Sequence, residues 1–228
     1  LDELERRAKS EPELQSLNLQ AVGVLGQSLG GYTVLAAAGA QLSREKLTDT
    51  CSTTVGERPI LNLSMLIQCR FLEIPTDKSL TVKDDRIKAV IAINPLTSHL
   101  FGQTGLNKLQ TPVLFIAGTD DYFVPALPEQ IKPFQKLNIE DKYLVMIENG
   151  THFSTLEMVN DGDGLPVPES FIGADPIKAQ PQMRSLSLAF FNRYLLNKSE
   201  SEMYLDQAYL NTFKPEPFRF NIVQDFSK

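Results

Sequence analysis

The chain has 228 residues, 42% of them hydrophobic, enough for one domain whose continuous core needs neither metal nor staple. A formal charge of −6, a pI near 5.1 and the lack of a Lys/Arg stripe exclude nucleic acid or another polyanion as partner. No apolar run approaches the ~20 residues that cross a bilayer and no signal-peptide pattern opens the chain, so the reading is of a soluble chain without a transmembrane segment.

Taken in chain order, "LDELERRAKS" reads as an amphipathic helix already under way, with Leu1, Leu4 and Ala8 on one face. With no initial Met, the chain looks cut at its N-terminus. Ala21 to Leu25 is a short apolar run that meets the helical stretch Leu29 to Ala40 at Gly26-Gln27-Ser28-Leu29-Gly30. The long connection from about Gln41 to Asp85 contains "ILNLSMLIQCRFLEI" and both cysteines, Cys51 and Cys69. It reads either as a small helical cap over the sheet's edge or as an ordinary extra core helix. The two cysteines are read equally as one disulfide or as two buried thiols. A bridge would favour an oxidising compartment, periplasmic or secreted.

Ile87 to Ile93, Val113 to Ala117 and Tyr143 to Ile147 are further Val/Ile-rich runs without polar alternation, the pattern of strands buried on both faces. Helical stretches at Ala126 to Leu137 and Met183 to Leu196 follow the last two, the second with Met183, Leu186, Phe190 and Tyr194 on one stripe. Strand alternating with helix predicts an α/β domain with a parallel sheet covered on both sides. Asp175-Pro176 is a helix entrance, with Pro181 able to delay the start by a turn. "DGDG" at Asp161 to Gly164 lacks the rest of a calcium-loop spacing and reads as a turn. From Ser199 to Lys228 no clear period is visible, and no metal or other cofactor is expected.

The chemistry concentrates at G-x-S-x-G. A strand that turns abruptly into a helix forces the serine backbone into a strained conformation, so the flanking positions must be glycine, and the hydroxyl is lifted above the C-terminal edge of the sheet. Ser28 is the candidate nucleophile, and the Leu29 N–H, at the helix start, points toward developing negative charge. Its general base must be His152, in "ENGTHFSTL" beyond the fourth run, or His99, in "INPLTSHLF" beyond the second. A carboxylate must hold the imidazole, and "LFIAGTDDYFVP" offers Asp120 and Asp121, of which only one can face it.

These pieces, "GQSLGGYTVLAAAGA", "RIKAVIAINP", "PVLFIAGTDDYFVP" and "NGTHFSTL", resemble the α/β-hydrolase superfamily, whose triad runs nucleophile, acid, histidine. The resemblance implies Ser28, Asp121 and His152. The superfamily's acid loop, G-x-x-D-x-x-V-P, matches Gly118, Asp121, Val124 and Pro125 and so selects Asp121, while the order selects His152 over His99. More narrowly the chain is similar to bacterial dienelactone-hydrolase-like and platelet-activating-factor-acetylhydrolase-like proteins. Dienelactone hydrolases proper use cysteine where this chain has Ser28, so the resemblance implies a serine esterase acting on simple small-molecule esters, and the apolar residues of the long connection point to apolar acyl or alcohol groups. It also implies a single α/β-hydrolase domain over residues 1–228, a three-layer sandwich with a cap insertion at about 41–85. Strands upstream of the serine, and the loop donating the second oxyanion N–H, are then expected in a missing N-terminal segment. The competing expectation is a catalytically silent module of the same fold that binds a hydrophobic ligand or a partner protein.

Overall fold

The computed structural model describes residues 1–57, 63–74, 82–156, 168–214 and 216–224. In chain order the elements are α1 (Asp2–Ala8), β1 (Val22–Gln27), α2 (Leu29–Ala37), α3 (Arg44–Glu57), α4 (Leu63–Cys69), β2 (Ile87–Ile93), α5 (Gly102–Leu106), β3 (Val113–Gly118), α6 (Lys132–Lys136), β4 (Lys142–Glu148), α7 (Glu169–Ile172), α8 (Gln180–Leu195), α9 (Gln207–Leu210) and β5 (Arg219–Val223). The "DGDG" turn lies outside the described residues.

Among the described residues the strands form one sheet in the order β1-β2-β3-β4-β5, parallel from β1 to β4. Each strand lies beside its predecessor, and α2 and α6 cover the same face, as the single handedness of parallel crossovers requires. That face buries Val90, Ala92, Val113 and Phe115 against Leu35 and Phe134. The opposite face buries Ala89, Ile91, Leu114 and Val145 against the stripe Met183, Leu186 and Phe190 of α8, with Tyr194 packed at its margin. Neighbouring residues of β2 and β3 serve opposite faces, which is why those strands lack polar alternation. β1 is an edge strand and less buried, leaving Leu25 49% exposed.

The tail departs from the all-parallel expectation. β5 pairs antiparallel with β4, from Leu144 opposite Val223 to Glu148 opposite Arg219. Phe220 and Ile222 point into the core between half-buried or exposed neighbours, a period-two pattern spread over five residues.

The stretch predicted as one helix from Ala126 is a π-helical turn at Leu127–Ile131 running into α6. Pro133 brings no N–H to the Glu129 carbonyl four residues back, and the Thr97 hydroxyl donates to that carbonyl instead. Ahead of α8, the Asp175 carboxylate caps a 3₁₀ turn at Pro176–Lys178 and the α-helix begins at Gln180, with Pro181 in its first turn. In α1, Leu1, Leu4 and Ala8 are half-buried at the expected spacing, yet no residue of the helix is buried. Ion pairs from Arg86 to Asp2 (2.6 Å) and Glu5 (3.1 Å) hold it to the sheet.

Within the long connection, α3, α4 and a 3₁₀ turn at Arg70–Glu73 pack on the loops that follow β2 and β3. Leu47, Phe71 and Leu72 meet Leu96, Leu100, Val124 and Tyr32 there. Cys51 of α3 and Cys69 of α4 form a disulfide.

Candidate active site

Residues just beyond the C-termini of parallel strands share one rim of the sheet, and Ser28, Asp121 and His152 follow β1, β3 and β4. The rim is built by backbone first. Ser28 adopts φ 56° and ψ −120°, a strained turn for a residue with a side chain, while its N–H still donates to Ile93 O (2.8 Å) and its carbonyl accepts from Tyr32 N (3.2 Å). The strand ladder and the first helical turn thus clamp the serine from both sides.

Only part of the glycine requirement holds. A Cβ on Gly26 would lie 2.3 Å from Gly30 O, so that position must be glycine. A Cβ on Gly30 would meet nothing within 4 Å, whereas one on Gly31 would lie 2.8 Å from Pro95 Cβ. The tight packing of α2 on the β2 loop therefore demands Gly31 rather than Gly30.

Asp121 is 4% exposed. One carboxylate oxygen accepts from the N–H groups of Phe123 (2.9 Å) and Val124 (2.8 Å), which fixes the side chain in its own turn. The other oxygen lies 2.7 Å from His152 Nδ1. Asp120 diverges as adjacent turn residues must: it is exposed, and its carboxylate accepts from the Thr119 hydroxyl at 3.0 Å. The loops carrying Asp121 and His152 approach closely, with Asp120 N donating to Gly150 O (2.8 Å), and a Cβ on Gly118 would lie 2.3 Å from that same oxygen.

The histidine loop is tied to the serine turn by a residue to which the sequence reading assigned no role. Gln27 Nε2 donates to His152 O (2.6 Å) and Gln27 Oε1 accepts from the Thr155 hydroxyl (2.9 Å). The imidazole is nearly buried, its side chain 12% exposed, against the rings of Phe123 (5.6 Å) and Phe153 (5.7 Å). Phe171 of α7 and Tyr122 extend this aromatic wall. The Ser28 hydroxyl and the imidazole form no hydrogen bond in this structure. Such contacts are commonly long in unliganded sites and tighten with substrate.

Asn94 also escaped the sequence reading. It follows β2 at φ 42°, is 1% exposed, and accepts from Gly118 N (3.0 Å), while its amide nitrogen has no partner among the described residues. A polar residue before Pro95, closing an apolar strand, was its only signal. His99 stands apart, its Nδ1 3.1 Å from the Thr50 hydroxyl and its N–H donating to Gln68 Oε1 (3.0 Å), at the junction with α3 and α4.

What fold and site define is a mostly parallel α/β protein with a strained serine at a strand-to-helix turn and a carboxylate-held histidine at the same rim. No family model matches the chain, and no curated protein matches it. No helix among the described residues is long and apolar enough to cross a membrane.

Proposed function

We propose that the chain is a serine ester hydrolase of the α/β-hydrolase superfamily. The observation that carries this reading is the 2.7 Å hydrogen bond between His152 and the buried Asp121, on a loop that Gln27 fastens to the strained turn at Ser28. His152 Nε2 takes the proton of the Ser28 hydroxyl as its oxygen attacks the acyl carbon. Asp121 holds the tautomer with its proton on Nδ1 and stabilises the imidazolium that results. The Leu29 N–H, with no intrahelical acceptor at the first position of α2, donates to the oxyanion. The imidazolium then protonates the leaving alkoxide, and water, deprotonated by the same nitrogen, releases the acid and restores Ser28. The aromatic wall of Phe123, Phe153 and Phe171 beside the imidazole supports an apolar acyl or alcohol group as substrate. The Cys51–Cys69 disulfide supports an oxidising compartment, periplasmic or secreted.

A second reading, a silent module that binds a hydrophobic ligand or partner, is favoured by the absent hydrogen bond between Ser28 and His152. A fluorophosphonate probe separates the two. The hydrolase reading expects stoichiometric labelling that disappears in Ser28→Ala. A folded protein that takes up no label and hydrolyses no p-nitrophenyl ester leaves the silent module as the reading.

A further inference from the structure

Away from Ser28 the molecule has a cleft whose chemistry is of another kind. This cleft, of about 340 Å³, lies between α3, the loop after β2 and α6, lined by Lys46, Lys132, Lys136 and His99 and, among the described residues, by no carboxylate. Lys132 and Lys136 stand one turn apart on the same face of α6, an arrangement in which like charges repel. Lys46 faces them from α3. None of the three ammonium groups makes an ion pair or hydrogen bond among the described residues. The nearby acids, Glu45 and Asp49, line the adjoining depression of about 410 Å³ that shares Lys46 and Lys136. In a chain of net charge −6, three cations thus converge on a cleft that no carboxylate lines among the described residues, with Glu45 and Asp49 turned to the adjoining depression.

We propose that this cleft binds a small organic phosphate. A carboxylate brings one charge and two acceptor oxygens, whereas a phosphate monoester brings nearly two charges and three acceptor oxygens, which three separate lysines can each meet as point charges. The volume sits at the small end of ligand pockets and exceeds what a bare phosphate fills. Leu106, Pro128 and Pro133 supply an apolar wall for the organic part. The site does not depend on the hydrolase reading. It does bridge the molecule, because Lys46 belongs to the helices of the long connection and Lys132 and Lys136 to the helical layer on the sheet, so occupancy fastens one to the other.

The test is calorimetric titration of the whole chain with phenyl phosphate, and in parallel with benzoate, at about 0.15 M salt, where purely diffuse attraction is screened. Saturable binding of phenyl phosphate is expected, weakened about 10-fold or more in Lys132→Gln/Lys136→Gln and again in Lys46→Gln, and unchanged in Ser28→Ala. Lys108→Gln/Lys178→Gln, which removes the same charge elsewhere, leaves it intact. All five lysines are exposed, and circular dichroism verifies that each variant folds. The proposal is overturned by no saturable binding up to about 10 mM, by equal binding in the cleft variants, by equal loss in the control pair, or by benzoate binding as tightly as phenyl phosphate.

Discussion

At the scale of single residues, the candidate site separates what a motif can state from what only a fold can assemble. G-x-S-x-G marked the strand-to-helix turn because its steric demand is local, and Gly26 meets that demand against Gly30 O at 2.3 Å. The middle positions of the motif carry no such demand, and the partners of Gln27 lie 125 and 128 residues away, beyond any local pattern. Asp121 and Asp120 differ only in which way one turn points them. We expect Asp121→Asn to lower kcat for a p-nitrophenyl ester by about 10⁴-fold, since an amide cannot hold the tautomer a carboxylate selects. Retention of kcat within a factor of ten would remove Asp121 from the mechanism. On the hydrolase reading proposed above, Gln27 positions the histidine loop, and its test needs a readout that mere packing does not move. Gln27→Leu keeps the volume but leaves His152 O and the Thr155 hydroxyl without their partners. It should lower kcat and slow fluorophosphonate labelling about 10-fold while KM stays level, consistent with a misplaced imidazole. A drop in thermal stability alone, with labelling unchanged, would show that Gln27 only packs.

At the scale of elements, the helices of the long connection show how a sequence can announce an extra segment without disclosing what fastens it. The length of the connection and its apolar stretch were legible, but the fastening is a buried carboxylate on the far side of the chain. Glu129 is 0% exposed and accepts five hydrogen bonds. Ser64 Oγ (2.5 Å) and Gln68 Nε2 (2.8 Å) donate from α4, and Ser98 Oγ (2.7 Å) with the N–H groups of Thr97 (2.8 Å) and Ser98 (2.9 Å) from the β2 loop. The sequence presented Glu129 as one more polar residue on a helix, and the π-helical turn at Leu127–Ile131 that faces it inward was not legible there. Glu129→Gln replaces one accepting oxygen with a donating nitrogen and sets donor against donor. With hydrogen bonds to a charged group worth ~1.5 to 3 kcal/mol, the variant should lose about 3 kcal/mol in urea denaturation. A loss below about 0.5 kcal/mol would mean that α4 is held by packing alone. The disulfide acts on the same connection through the unfolded chain. Closing a loop of sequence separation 18, it contributes about 3 kcal/mol by chain entropy. A reductant should therefore lower the melting temperature of the native chain and leave Cys51→Ser/Cys69→Ser, already lowered, where it is. Equal melting of native and double-serine chains without reductant would remove that contribution.

For the whole molecule, the alternation of strand and helix was enough to foresee a parallel sheet with helices on both faces, because the apolar runs of β2, β3 and β4 already required two covered faces. β5 was not foreseen, since only Phe220 and Ile222 of its five residues are buried, between an exposed Arg219 and the half-buried Asn221 and Val223. Nor was the way the two ends of the β1–β2 unit are joined to α1. Arg86, its side chain 17% exposed, pairs with Asp84 (2.6 Å) as well as with Asp2 and Glu5, gathering the start of the chain, the connection and the entrance to β2 on one guanidinium. The hydrogen bonds from this guanidinium hold the Asp84 carboxyl down at about 2, below its ordinary 3.8. A carboxyl that binds its proton less readily when folded than when unfolded stabilises the fold in full above its unfolded value. That contribution fades as pH falls from about 3.8 through about 2. Asp84→Asn should thus lower the urea midpoint by a constant amount from pH 7 to about 4.5, and the gap between native and variant chains should close between about 3.8 and 2. Because the pair is partly open to solvent, about 1 M salt should narrow the gap at neutral pH as well. A gap that persists unchanged at pH 2 would show that Asp84 acts there by shape and neutral hydrogen bonding, with the ion pair contributing nothing to the joining of α1 to the sheet.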